Sequence, residues 1–534
     1  MSLLHSYKSV FALLMLLLMI ILVSIVAYWV FQHQHGSVTA SSIPRLSSRN
    51  CGDFFFDDFF HGRYEVQCFY YKTHEEGGFK LPVALIKQYD QDITDAEPIE
   101  RELMVYIPGG PGQGYMTTAD EITYWVDWLY TNEQTYDLLL FDPRGTGESI
   151  PSATCDSYNA SAESLLAEAV ETERELLKMN MVLSECLEAY AKVLKQQFPS
   201  YNGAELYDVF ATRNQAEDIH GMATSLGYQR AHLWGVSYGT RLALAASQFD
   251  VVKTLILDSL YPFDKGLSSD WIELYQNSFN LHHTLYADFL KAGGTRISEA
   301  RTERYKDLYG RVLARLQEKP LKISLQRWRD ERIIDFTLTP ERLLELSFSH
   351  LYSPHRYGEF YRGLAYLAEM GDVNAELLAV LEYFVNNVLD ENFSFIAYYA
   401  VECLDNKSQH ISHKDISFEA FPFYELYFYL GFKHTLCNHF GFSKGLDVQS
   451  VVLNEEPYSS KPVLIFSGEY DPVTPPVWAK RFSKEHINAR HIELRGSGHA
   501  QLRGKKCNWD FLNDFVRESV PNAVIQCEAS LLWQ

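Results

Sequence analysis

Three common signatures of metal, redox and nucleotide chemistry are missing from this 534-residue chain. There is no C-x-x-C, no H-E-x-x-H and no G-x-x-x-x-G-K-[ST]. Their absence removes the usual zinc, thiol-exchange and P-loop readings, and the adjacent pair His282-His283 is too little to hold a metal by itself. No cofactor and no metal are expected. Positive charge is also scarce, with 47 Lys and Arg against 69 Asp and Glu, a formal charge of −22. That balance argues against nucleic acid as a partner, because phosphates demand basic side chains. No internal repeat or low-complexity region stands out.

One stretch lacks charge altogether. Ser9 to Phe31 runs 23 positions without a charged residue, and at ~1.5 Å per residue it matches the ~30 Å hydrocarbon core of a bilayer. The length predicts an uncleaved, membrane-spanning signal anchor, since secretory signal peptides carry shorter apolar regions. Val38-Thr39-Ala40 leaves signal cleavage and secretion as the alternative. Lys8 precedes the stretch and the next basic residue is Arg45, so the positive-inside rule puts the amino terminus in the cytoplasm and the remainder outside. The eight cysteines agree with an oxidising compartment: Cys51, Cys68, Cys155, Cys186, Cys403, Cys437, Cys507 and Cys527 are even in number and fall in neighbouring pairs. Their connectivity stays open, and neighbour pairing is the simplest choice.

What is present is organised around Gly235-Val236-Ser237-Tyr238-Gly239. This G-x-S-x-G follows a short apolar run, Ala231 to Trp234, and precedes a helical one, Thr240 to Ala246. A serine at such a strand-to-helix turn is forced into strained dihedrals that expose its hydroxyl, and its small neighbours let helix and strand pass closely. Two other apolar runs, Leu103 to Ile107 and Tyr136 to Asp142, read with Ala231 to Trp234 as buried parallel strands. Thr254 to Leu257 is a further strand, and the sheet resumes with Pro462 to Phe466 and Ala489 to Leu494. Tyr64 to Tyr71 and Leu81 to Tyr89 add two more, and Trp509 to Val516 reads as a closing helix. Helical segments between the strands predict an α/β sheet with its reactive residues at the carboxyl ends of strands. From Tyr261 to about Gly445 the pattern is largely helical and aromatic, which predicts an insertion capping the sheet.

A serine hydroxyl needs a base in contact, itself oriented by a third group. Asp471 stands in the loop leaving Val463 to Phe466, and His499 on a Gly-rich loop after the next strand. Asp258, also at a strand end, is the competing acid. Ile107-Pro-Gly-Gly-Pro-Gly-Gln-Gly114 has the backbone freedom to turn amides inward, so the oxyanion donors are expected to be the N–H groups of Tyr238 and Gly110, with Gly109 as the fallback. A phosphate-cradling loop is the rival reading of this glycine cluster, but no lysine follows it, and the plain structural alternative is a tight turn with a cis Gly110-Pro111 bond. Asp142-Pro-Arg-Gly-Thr-Gly-Glu-Ser149 reads as a structural turn near the site.

Pro-Gly-Gly-Pro-Gly (108 to 112), Asp-Pro-Arg-Gly-Thr-Gly-Glu-Ser (142 to 149), Gly-Val-Ser-Tyr-Gly (235 to 239), Leu-Asp-Ser (257 to 259), Gly-Glu-Tyr-Asp-Pro-Val-Thr-Pro (468 to 475) and Gly-Ser-Gly-His (496 to 499) together resemble the proline iminopeptidase and tripeptidyl aminopeptidase group of α/β-hydrolase serine peptidases, and its tripeptidyl aminopeptidase branch more closely. Two departures matter: that group's iminopeptidases usually have His where Pro108 stands and Gln where Pro143 stands. The resemblance implies an α/β-hydrolase fold with a large helical cap. The expected organisation is a cytoplasmic tail (1–8), the anchor (9–31), a linker (32–50), the first part of the core (51–260), the cap (261–445) and the second part of the core (446–534). It further implies a serine aminopeptidase with Ser237, Asp471 and His499 as its triad, releasing residues from the free amino terminus of a peptide. The substrate amine would then be held by carboxylates in or near the cap, Glu402 or Glu469 among them. An esterase or lipase is the first alternative, and a catalytically silent surface binding protein the second.

Overall fold

The computed structural model describes residues 45–51, 63–73, 77–88, 102–170, 172–265, 271–293, 304–405, 461–518 and 525–529. The strands in chain order are β1 (Leu46–Ser48), β2 (Tyr64–Lys72), β3 (Lys80–Gln88), β4 (Leu103–Ile107), β5 (Asp137–Phe141), β6 (Ala231–Val236), β7 (Val252–Asp258), β8 (Leu321–Gln326), β9 (Ile333–Leu338), β10 (Val463–Gly468) and β11 (Ala489–Leu494). Nine of them form one sheet in the order β1-β2-β3-β5-β4-β6-β7-β10-β11. From β5 to β11 neighbouring strands are parallel, while β1, β2 and β3 join antiparallel. Every residue of β4, β5, β6 and β10 is buried, as expected of parallel strands covered on both faces. Leu46–Ser48, inside the stretch read as a linker, pairs with β2.

Helices cover both faces. They are α1 (Ala119–Thr131), α2 (Asp156–Leu166), α3 (Thr172–Gln197), α4 (Thr212–Ser225) and α5 (Tyr238–Ala246) within the first part of the chain. Between β7 and β10 lie α6 (Trp271–Lys291), α7 (Tyr305–Glu318), α8 (Pro340–His350), α9 (Tyr357–Met370), α10 (Ala375–Val388) and α11 (Phe395–Asp405). After β10 come α12 (Pro476–Glu485) and α13 (Asp510–Glu518). On one face of the sheet Trp125, Trp234, Trp128 and Trp509 meet edge to face in that order, with ring centroids 4.8 to 5.7 Å apart in consecutive pairs. The cap helices α6 to α10 have a core of their own, in which Leu308, Leu343, Phe360, Leu364 and Leu381 are fully buried. The cap also carries an antiparallel hairpin, β8 with β9, that its helical patterning did not announce.

The cysteines pair with their neighbours as Cys51–Cys68, Cys155–Cys186 and Cys507–Cys527. Cys403 is disulfide-bonded too, to a partner outside the described residues.

One expectation is corrected. The membrane anchor read over 9–31 lies outside the described residues, and among the described residues no helix is long and apolar enough to cross a membrane. The two longest described helices, α3 and α6, carry charge along their lengths, Glu185, Glu188 and Lys192 in one and Glu273, Asp288 and Lys291 in the other. Burying such residues in hydrocarbon is costly. The transmembrane helix, the membrane as a partner and the single-pass extracytoplasmic placement built on it are withdrawn.

Candidate active site

Ser237 is the hinge between β6 and α5 and sits at φ 54°, ψ −120°. A non-glycine residue there is strained, and the strain persists only because both sides of the turn are fixed. Close packing supplies the constraint. A Cβ on Gly235 would stand 2.3 Å from the Gly239 carbonyl oxygen, and one on Gly239 would stand 2.3 Å from that of Ile107. The Ser237 N–H donates to the Asp258 carbonyl at 2.9 Å, tying the nucleophile's backbone to β7. The residue is partly exposed, between buried neighbours.

The Gly-rich loop after β4 lies against this serine. A Cβ on Gly109 would be 3.1 Å from Ser237 Cβ and 3.8 Å from its Oγ. Gly110 takes φ 108° and precedes a cis bond to Pro111. Tyr238 opens α5, so its N–H belongs to the first turn, where amides have no partner within the helix. Its side chain is committed elsewhere: the hydroxyl bonds Thr212 Oγ1 at 2.6 Å and accepts from Gln215 at 3.3 Å. The backbone is therefore what Tyr238 offers to a bound molecule.

The structure brings Asp471 and His499 together. His499 Nδ1 lies 3.0 Å and 2.9 Å from the two carboxylate oxygens of Asp471, which is fully buried. Asp471 also accepts from the N–H groups of Val473 and Thr474, each at 2.9 Å, and from the Thr474 hydroxyl at 2.8 Å. Burial alone would raise this carboxyl, but the charge and hydrogen bond of His499 and the bonds from Thr474 outweigh it and hold it below the usual carboxylate range. Burial likewise works to lower His499, yet the Asp471 carboxylate, with a smaller contribution from Asp258, keeps the imidazole above its ordinary value. The pair is thus biased towards imidazolium beside carboxylate, the arrangement a general base needs once it has taken a proton.

Asp258, the competing acid, points to the backbone instead, accepting the Leu502 N–H at 3.0 Å. Of the two carboxylates suggested for an amine, Glu469 accepts the Gly496 N–H at 2.9 Å, and Glu402 is buried 3.5 Å from the Tyr261 hydroxyl. The turn 142–149 is structural: Asp142 accepts from Met116 N at 2.6 Å and Glu148 N at 3.0 Å, fastening the Gly-rich loop. Three contacts escaped the sequence reading. Thr474 is the one whose spacing, three residues after Asp471, could have announced it. Tyr352 sets its ring edge-on to His499 at 5.2 Å, and Asn277 donates to the Asp471 carbonyl at 3.2 Å. Both come from the cap, and no local pattern marks them.

A family model described as alpha/beta hydrolase fold matches residues 102–502. Among curated proteins, the chain is 26% identical over 164 residues to a putative hydrolase, YuaR, of Escherichia coli, covering 30% of this chain and 28% of that protein. It is also 26% identical over 195 residues to the tripeptidyl aminopeptidase of Streptomyces lividans, covering 34% of this chain and 35% of that one. The chain therefore spans about a third of the length of the curated relatives it matches. A solved esterase from Exiguobacterium antarcticum shares 12% identity and a TM-score of 0.32, covering 84% of this chain and 97% of that chain. The curated similarities are distant and cover about a third of each protein, so no branch is singled out. The match over residues 102–502, together with the strand order and the strained serine between β6 and α5, means that this chain belongs to the alpha/beta hydrolase fold family.

Proposed function

We propose that the chain is a serine hydrolase that cleaves carboxylic acid derivatives through an acyl-enzyme. The observation that carries this reading is Ser237, held at φ 54° on the strand-to-helix turn with Gly109 packed against its side chain. Strain of that kind is kept where it positions a reacting group. Ser237 Oγ attacks the carbonyl carbon while its proton passes to His499, and the carbonyl electrons move onto oxygen. The N–H groups of Tyr238 and Gly110 receive that oxyanion. His499 then returns the proton to the leaving group as its bond to carbon breaks, and water repeats the sequence to release the acid. Asp471 orients the imidazole throughout.

Simple carboxylic esters ask for nothing beyond this set, since an alcohol leaves readily. They are the first substrate class. A second reading, release of residues from the free amino end of a peptide, is supported by the tripeptidyl aminopeptidase among the relatives and by the motifs that resemble that group. The deciding experiment incubates the full chain and its Ser237→Ala variant with acyl esters and with peptides whose amino ends are free or acetylated, and identifies products by mass spectrometry. Ester hydrolysis alone, lost in the variant, supports the esterase reading. Release of one to three residues from free ends only supports the exopeptidase. A wild-type protein that cleaves neither, and that a fluorophosphonate does not label, fails the serine-hydrolase reading and favours a silent binding protein.

A further inference from the structure

Asp258 ends β7 and takes no part in the proton transfers just described. Its surroundings are nevertheless unusual. Its backbone carbonyl accepts the Ser237 N–H at 2.9 Å, and its Oδ2 accepts the N–H of Leu502, three residues beyond His499, at 3.0 Å. The adjoining residue repeats the pattern, since Ser259 Oγ accepts the N–H of Ala500, the residue directly after His499, at 2.8 Å. Ser259 and Ala500 both hold positive φ, 65° and 55°, in the region non-glycine residues avoid. Together with Ser237 at 54°, three strained residues meet at this junction. Such conformations survive only where neighbouring contacts over-determine them. The loop bearing the base is thus fastened at two points to the end of the strand that also receives the nucleophile's amide.

We propose that Asp258 is a positioning residue for the hydrolysis proposed above, on which this inference rests: it clasps the His499 loop to the backbone of Ser237, so that base and nucleophile keep their register. The remaining carboxylate oxygen, Oδ1, is buried without a hydrogen-bond partner, a costly arrangement for an ionised carboxylate and a cheaper one for a neutral acid. Burial accordingly pushes this carboxyl up to about 7, against the bond from Leu502. The ionisable groups around it are His499 and Arg503 on the clasped loop, Asp471 after β10 and Tyr106 on β4. Arg503 is itself engaged by Glu121 of α1 at 2.5 Å, leaving His499 as the group whose proton Asp258 most directly affects.

The test uses the full chain with Asp258→Ala, Asp258→Asn and Ser259→Ala, on an acyl ester or peptide that the wild type cleaves. Active sites are counted by fluorophosphonate labelling, so that unfolded protein does not enter the rate. Asp258→Ala removes the acceptor from Leu502 and is expected to lower kcat per labelled site on the order of ten- to a hundredfold, with KM changed by less than about threefold. Asp258→Asn keeps an acceptor oxygen and is expected to restore most of kcat. It also removes the charge that the carboxyl takes on as it ionises near 7 and that favours imidazolium, so the upper part of the acid limb of kcat/KM moves to lower pH. Ser259→Ala is expected to lower kcat without moving that limb. An unchanged kcat in Asp258→Ala, or an acid limb that stays in place in Asp258→Asn, overturns the proposal. If the alanine variant does not fold, the asparagine variant decides by its acid limb alone. Loss of wild-type labelling and turnover would instead overturn the serine-hydrolase reading, and this proposal with it.

Discussion

Arg144 and Asp218 form a two-point ion pair in the interior, Nε to Oδ2 at 2.6 Å and Nη2 to Oδ1 at 2.9 Å, with both side chains almost wholly buried. Arg144 also donates to the Val209 carbonyl at 2.7 Å. The pair fixes the turn 142–149 to α4, and through Asp142 that turn holds the Gly-rich loop beside Ser237. Removing one partner strands the other charge in a medium that cannot solvate it. Asp218→Ala is expected to cost about 3–5 kcal/mol of stability, read from urea unfolding. A double replacement by apolar residues of similar volume should cost much less. Equal losses from the single and double variants would show that the charge pair is not what matters.

The elbow gives a second prediction. Gly239→Ala places a methyl group 2.3 Å from the Ile107 carbonyl oxygen and 2.6 Å from that of Pro108, both backbone atoms that cannot rotate away. Either α5 or the Gly-rich loop must shift, and both border Ser237. Labelling by a fluorophosphonate is therefore expected to fall by at least about a hundredfold. Gly504→Ala, with open space at the Cβ, serves as the control and should be unaffected.

Asp471 invites a comparison between charge and geometry. Asp471→Asn keeps one acceptor oxygen but loses the carboxylate that holds His499 in the right tautomer. A fall of about 10⁴-fold in kcat is expected, with KM little changed. Thr474→Val removes one of the bonds to the same carboxylate, 2.8 Å long, while leaving the two backbone donors. Its effect should be far smaller. A Thr474→Val loss as large as that of Asp471→Asn would mean that the hydroxyl, which also lies 3.3 Å from His499 Nδ1, shares the orienting role.

How much of this was legible in the sequence depends on how local each signal is. The parallel strands were, because continuous apolar runs ending at Gly, Pro or Asp are produced by burial on both faces. Asp471 could be placed because it follows such a run, His499 because it stands on a Gly-rich loop after the next strand, and the order after Ser237 fits only a few arrangements. The hairpin β8–β9 was lost among helices, although Leu321, Ile323 and Leu325 alternate in the strand manner, since a six-residue alternation weighs little in a helical neighbourhood. The role of Asp258 was hidden for a stronger reason. Its partner, the Leu502 amide, lies 244 residues away, and backbone donors leave no mark in a sequence. The 23 uncharged residues near the amino terminus show the opposite hazard, where composition alone suggested a membrane span that no described helix supports.

Buried ionisable groups give the chain an expected pH profile of stability. Burial raises Asp142 to about 6 and Asp258 to about 7, from 3.8 when unfolded. Between those limits the folded state binds more protons than the unfolded one, so stability is lost as pH rises through 6 to 7. His282 and His491 act in the other direction. Burial lowers each to about 4 from 6.5, so below 6.5 the unfolded state takes up protons that the folded state refuses, and stability is lost as pH falls. The two trends run over the same window, from about 4 to 6.5, and oppose each other there, two carboxyls against two imidazoles. Above about 7 all four groups carry the same charge folded and unfolded, and their contribution is level. Thermal unfolding of Ser237→Ala, chosen to exclude self-hydrolysis, should therefore show a midpoint that these four groups leave nearly level from about pH 4.5 to 7. His282→Phe removes one imidazole from that balance along with its hydrogen bonds to Tyr361 and Ser347, so its midpoint should be lower overall and should fall as pH rises from about 4.5 to 6.5. A parent midpoint that instead climbs steadily over about pH 4.5 to 6.5 would mean that Asp142 and Asp258 are ionised in the folded protein without penalty, and that buried polar groups around them solvate the charge.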